Sequence, residues 1–121
     1  MLQMKKIFIA DDDAAIVDAT SLMLELMGYD VASTLNGAAI LEAMKPSPDL
    51  LILDIWLSGI DGRDVCRQLK ADPATKNIPI LMISASREIK TSAMDSGAND
   101  FLAKPFEMQL LLQKIESLIN T

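Results

Sequence analysis

Histidine is absent from this chain, and cysteine occurs once. Without an imidazole there is no Ser-His or Cys-His nucleophile pair, no histidine metal ligand and no phosphohistidine made on this chain. A single cysteine excludes an internal disulfide and any cysteine-rich metal site. Cys66 lies in Val65-Cys66-x-x-Leu69, a spacing that reads as the buried face of a helix, so a small core hydrophobe is expected there. Bases are also scarce: 11 Lys and Arg stand against 17 Asp and Glu, for a net charge of −6. Neutralising phosphates needs clustered bases, so no direct nucleic-acid surface is expected. No apolar run reaches the ~18 residues of a membrane span. Met1-Leu2-Gln3-Met4-Lys5-Lys6 carries no signal-like apolar region. A soluble, cytoplasmic protein with no membrane contact is the expectation.

What is present is alternation. Leu50-Leu51-Ile52-Leu53 runs into Asp54, and Ile7-Phe8-Ile9-Ala10 into Asp11, Asp12 and Asp13. Ile80-Leu81-Met82-Ile83 runs into Ser84, and Phe101-Leu102-Ala103 into Lys104. Apolar runs this short read as strands buried on both faces. Helical patterns separate them. Strands are expected at 6–10, 30–33, 50–54, 80–83 and 100–103, and helices at 14–27, 37–44, 62–70, 88–96 and 107–119. Gly28 and Gly97 suit the left-handed position after a helix, and Asn36 and Asp61 suit helix caps. The second strand is the weakest and is expected at an edge. Five such units predict an α/β fold, a doubly wound five-stranded parallel sheet with helices on both faces. The 121 residues suit one domain over 1–121, without linker or second domain, large enough to bury somewhat under ~70% of its unfolded surface. The first helix is apolar nearly all round. Ala19, Met23 and Met27 are expected to define its sheet-facing stripe, leaving Leu22 and Leu26 outside. In the last helix the stripe is Leu111, Leu112, Ile115 and Ile119, with Leu110 off it.

The strand ends carry the chemistry. In open parallel sheets ligands bind at the carboxyl edge, where these carboxylates, hydroxyl and ammonium would converge. Two unit charges about 4 Å apart repel by roughly 4 kcal/mol at an effective dielectric near 20, so three acids together call for a cation or a proton. Hard oxygen donors without His or Cys favour Mg²⁺ over zinc. Asp13 is expected merely to cap the first helix; one cap needs one acid, which leaves Asp11 and Asp12 for the site. Lys104 can supply a point charge to a phosphoryl or carboxylate oxygen, and Ser84 a hydrogen bond. Pro105 makes a cis bond after Lys104 conceivable. The set suits phosphoryl transfer to a carboxylate, with Asp54 as nucleophile forming an acyl phosphate, catalysed by positioning and electrostatics.

At this point the chain resembles a response-regulator receiver domain, the phosphoacceptor half of two-component signalling. The resemblance rests on Asp11-Asp12, Asp54, Ser84-Ala85, Lys104-Pro105-Phe106, Gly97-Ala98-Asn99-Asp100-Phe101, and the loop from Asp54 to Gly62. It covers essentially the whole chain and implies the flavodoxin-like strand order 2-1-3-4-5. It further implies that Asp54 is the phosphorylation site. Asp12, Asp54 and the backbone carbonyl of Trp56 would bind Mg²⁺ or Mn²⁺ directly, and Asp11 through a metal-bound water. Ser84 and Phe101 would be the switch pair, and Lys104 would pair with the phosphoryl group. The implied partners are a sensor histidine kinase or histidine phosphotransfer protein, docking on the first helix, and a downstream protein target of unknown identity. The face formed by the fourth helix, fifth strand and fifth helix would be the output surface, with a phosphorylation-dependent dimer. Such a chain is no enzyme beyond its own phosphorylation and dephosphorylation. Ser58 stands where the family usually has proline, Ser84 where threonine is commoner, and Trp56 is bulky for its position and could shield the acyl phosphate.

Two other readings compete: a binding module that is never phosphorylated, and a small α/β enzyme or flavin carrier. A receiver-like module that signals by contact alone usually lacks an acid, the acceptor or the lysine, and all are present here. A flavin carrier would need a Ser/Thr/Gly-rich phosphate loop in place of Asp12-Asp13-Ala14-Ala15. A haloacid-type phosphatase would want a second acid at position 56, which is Trp56. No output domain follows the fifth helix, so the expectation is either a stand-alone receiver or part of a larger regulator.

Overall fold

The structure is a computed structural model that describes residues 4–120. In chain order the elements are β1 (Lys6–Ala10), α1 (Ala14–Leu26), β2 (Asp30–Thr34), α2 (Ile40–Ala43), β3 (Leu50–Asp54), β4 (Trp56–Leu57), β5 (Ile60–Asp61), α3 (Gly62–Ala71), β6 (Ile80–Ser84), α4 (Lys90–Asp95), β7 (Asp100–Ala103) and α5 (Met108–Ile119). The apolar runs pair as one parallel sheet in the order β2-β1-β3-β6-β7. Counted along that sheet, this is the expected 2-1-3-4-5. β2 is the edge strand and is only partly buried, whereas every residue of β3 and β6 is buried.

Strand side chains alternate between the two sheet faces, and the core divides accordingly. Ile7, Ile9, Leu50, Ile52, Leu81, Ile83 and Leu102 pack with Val17 and Leu24 of α1 and with Leu111 and Ile115 of α5. Phe8, Leu51, Leu53, Ile80, Met82 and Phe101 point the other way, to Ile40 of α2, Val65, Cys66 and Leu69 of α3, and Ala93 of α4. Cys66 is wholly buried in that second layer, and burial pushes its thiol up. The α5 stripe is as predicted, and Leu110 is exposed.

Local signals act where they were read. The Asp13 carboxylate accepts from the amides of Ala15 and Ile16, Asn36 from Ala38, and Asp61 from Arg63. Gly28 and Gly97 have φ of 96° and 109°. Three expectations are corrected. The segments read as helices at 37–44 and 88–96 each open with a 3₁₀ turn, Gly37–Ala39 and Arg87–Ile89, before α2 and α4. β4 and β5 form an antiparallel hairpin that no strand pattern announced. The buried face of α1 is Val17, Thr20 and Leu24; Ala19 is exposed, and Met27 is 54% exposed. A helix apolar nearly all round has only a weak hydropathic phase, so packing against Ile7 and Ile9 sets its rotation. Leu22 and Leu26 do lie outside, at 62% and 75% exposure.

Candidate functional site

Alternation also builds the site. Asp54 follows the parity of Leu50 and Ile52, and Asp11 that of Ile7 and Ile9. Lys104 follows Leu102. All three therefore leave their strands toward the α1–α5 face, at the carboxyl ends of β3, β1 and β7. Ser84 and Phe101 have the opposite parity and belong to the α4 side, with Met82 of β6 beside Phe101 in register.

The Lys104 ammonium lies 3.0 Å from Asp54 Oδ2 and 2.8 Å from Asp11 Oδ2. Its aligned hydrogen bond goes to Asp54. Asp11 Oδ2 is buried without an aligned donor, so its attraction to Lys104 is ionic. The other Asp11 oxygen, Oδ1, accepts from the amide of Asp13, which ties the site acid to the cap of α1. Asp11 is wholly buried, Asp54 nearly so, and Asp12 is exposed. Burial pushes the Asp54 carboxyl up to about 6; the Lys104 hydrogen bond pulls it down and the Asp11 charge pushes it further up. For Lys104, burial works against the charge, but the contacts with Asp11 and Asp54 outweigh it and the ammonium is held above its ordinary value.

One carboxylate oxygen each from Asp11, Asp12 and Asp54 lies within 4.8 Å of the others. Three acids against one ammonium leave an excess of negative charge, and Asp11 Oδ2, ion-paired with Lys104 but accepting no aligned hydrogen bond, sits among them. This donor set fits a small hard divalent cation.

The hairpin after Asp54 closes the site from one side. Ser58 and Gly59 at its tip have φ of 51° and 87°. Proline, locked near −65°, cannot occupy position 58 in this turn. The Ser58 amide, which proline would also lack, donates to Asp12 Oδ2 at 3.3 Å. The loop with serine is thus a defined two-residue turn. Trp56 is 55% exposed, and the Arg63 guanidinium carbon lies over its ring, 5.9 Å from the centroid. At Gly62, a Cβ would collide with the backbone carbonyl of Asp54, so only glycine lets α3 start this close to β3. The Lys104–Pro105 peptide is cis.

The residues match the family model of the response regulator receiver domain over positions 7–116. The chain belongs to the response-regulator receiver family. It is 41% identical over 120 residues to the DNA-binding dual master transcriptional regulator RpaA of Synechocystis sp., a match covering 97% of this chain and 50% of that protein. A crystal structure of a candidate response regulator from Chloroflexus aurantiacus superposes with a TM-score of 0.92 at 34% identity, covering 98% of this chain and all of that one. The BeF3-activated N-terminal receiver domain of Klebsiella pneumoniae RstA gives 0.88 at 26% identity, covering 97% and 100%. The chain spans about half the length of the curated relative RpaA, and 26% of the response regulator PleD of Caulobacter vibrioides. It is a receiver domain of two-component signalling. Among the described residues no helix is long and apolar enough to cross a membrane.

Of the residues singled out in the sequence, this receiver brings together Asp11, Asp12, Asp54 and Lys104. Ser84 ends the neighbouring strand, its carbonyl accepting from the Lys104 amide and its hydroxyl from the Ser86 amide. Phe101 lies inside the α4-side core rather than at the acid cluster. Sequence reasoning missed Arg63, whose forked contacts to Asp61 and Ser92 join the hairpin to α4. An arginine two residues after a helix-capping aspartate was the one local signal for it.

Proposed function

We propose that Asp54 accepts a phosphoryl group from a phosphohistidine of a sensor kinase or histidine phosphotransfer protein, and that this changes the α4–β7–α5 face. The observation that carries the reading is the Asp54 carboxylate, buried at the end of β3, hydrogen-bonded to Lys104 and grouped with Asp11 and Asp12. With its carboxyl near 6, Asp54 is mostly ionised at neutral pH yet more basic than an ordinary aspartate. Its oxygen attacks phosphorus; the P–O bond forms as the P–N bond breaks, and that electron pair stays on the departing imidazole nitrogen. Lys104 turns from the Asp54 carboxylate to a phosphoryl oxygen as charge moves there. Ser84 supplies a hydrogen bond to the same group, and Phe101 follows it on the same sheet face. Asp12, Asp54 and the Trp56 carbonyl would hold Mg²⁺ or Mn²⁺, with Asp11 acting through a water, and the ion would supply positive charge against the phosphoryl oxygens. The protein turns over nothing but its own phosphoryl group.

A groove of about 440 Å³ lies beside Lys104, lined by Ile16, Ala19 and Thr20 of α1 with Pro105 and Phe106. It is mostly apolar and reaches Lys104, the partner of Asp54, which suits a kinase helix presenting its phosphohistidine. Whether as 1–121 alone or within a longer regulator, the domain acts in the cytoplasm through protein contacts, including a phosphorylation-dependent dimer, and without direct nucleic-acid binding. Incubation with a small acyl phosphate and Mg²⁺, read by intact mass, tests the assignment. One phosphoryl group is expected on the parent and none on Asp54→Asn. A gain that persists in the variant overturns it.

A further inference from the structure

Arg63 stands where the loop after Asp54 meets α4. Its Nε donates to both Asp61 oxygens at 2.9 and 3.1 Å, and Nη2 to Asp61 Oδ2 at 2.6 Å. On the opposite edge Nη1 donates to Ser92 Oγ of α4 at 3.0 Å. The guanidinium carbon lies over the Trp56 ring, 5.9 Å from its centroid. Both partners are themselves fixed. Asp61 caps α3 and pairs with Trp56 across the hairpin. The Ser92 hydroxyl spends its proton on the Ile89 carbonyl, which leaves its lone pairs for Arg63. The Arg63 side chain is only 21% exposed.

A guanidinium is rigid and planar, so its two edges and its face cannot be re-aimed independently. If α4 shifts, the fork must tilt, and the tilt alters the contact with Trp56 or strains the charge-assisted bonds to Asp61. The reverse holds if the hairpin moves. A lysine, with one rotatable ammonium, could keep one contact while losing the others.

We propose that Arg63 is a positioning residue that couples the conformation of the Asp54 loop, reported by Trp56, to the position of α4 through Ser92. The regulatory part of this proposal rests on the phosphoacceptor reading above; the coupling itself does not. The bland alternative is an ordinary surface ion pair with Asp61, which adds a little stability and transmits nothing.

The test is a double-mutant cycle read by acrylamide quenching of Trp56, the only tryptophan. The variants are Ser92→Ala, Arg63→Met and both together, without donor. Coupling predicts that Ser92→Ala, a change on α4, raises quenching, and that this effect is lost in the Arg63→Met background. Unchanged quenching in Ser92→Ala, or the same increment in both backgrounds, overturns the proposal. Hydrogen exchange of the α4 amides with and without a small acyl phosphate is the second readout. The donor-dependent change in the parent should be lost in Arg63→Met and Arg63→Lys while intact mass still shows a phosphorylated Asp54. An α4 response equal to the parent's in those phosphorylated variants also overturns it. A parent that takes no phosphoryl group refutes the phosphoacceptor reading instead, and the quenching cycle still decides the role of Arg63.

Discussion

The raised carboxyl of Asp54 makes the metal-free domain more stable in mild acid, and Asp54→Asn should remove that dependence. The acid ionises near 3.8 when unfolded and near 6 when folded, chiefly because burial disfavours its charge. Folding therefore favours the protonated form. The stability associated with that proton is fully present below 3.8 and is lost as pH rises through about 6. A rise of about two units corresponds to a penalty of about 3 kcal/mol once the pH exceeds both values, with roughly half of it present at pH 5. The part lost between pH 5 and pH 7 is on the order of 1 kcal/mol, a few degrees in melting temperature for a chain of this length. Thermal melting in a chelator at pH 5, 6 and 7 measures it, with parent and Asp54→Asn compared at each pH so that other titrating groups cancel. The parent should fall relative to the variant as pH rises. Saturating Mg²⁺ should flatten the parent, because a bound cation keeps Asp54 ionised in the fold. Equal pH slopes for the two proteins in the chelator would show that Asp54 is not the desolvated acid described above.

Three further outcomes are expected. Lys104→Met leaves the wholly buried Asp11 facing Asp54 without a cation and should cost about 3 kcal/mol in chelator by urea unfolding, with Mg²⁺ restoring part; a variant as stable as the parent contradicts the pairing. Ser58→Pro should lose about 1–3 kcal/mol in thermal melting, because it cannot hold a φ of 51° and forfeits the amide bond to Asp12, while Ser58→Gly should not be destabilised. Leu22→Lys with Leu26→Lys, both on the exposed side of α1, should melt within about 0.5 kcal/mol per site of the parent yet slow phosphoryl transfer from the cognate kinase; unchanged transfer ends the case for docking there.

Strand positions were legible because a strand buried on both faces must be apolar throughout, and the polar residue that ends it marks the sheet edge. Caps were legible for a similar reason. Asp13, Asn36 and Asp61 bond to amides two or three residues away, so their partners are fixed by chain position. Asp11, Asp12, Asp54 and Lys104 could be nominated together because each follows an apolar run, and a parallel sheet aligns all such ends.

Tertiary structure alone decided the rest. The face α1 buries depended on the sheet beneath it, since apolar residues nearly all round give only a weak preferred rotation. The β4–β5 hairpin has strands of two residues, too short for any period to show, and is followed directly by α3, whose Gly62 lies against the Asp54 carbonyl. Sharing Lys104 between Asp11 and Asp54 required β1, β3 and β7 to present the same parity at one edge. The fork of Arg63 reaches Ser92, 29 residues further along the chain. Contacts between neighbours in sequence can be read from residue type and spacing, whereas contacts between distant segments depend on the rotation and register that only packing sets.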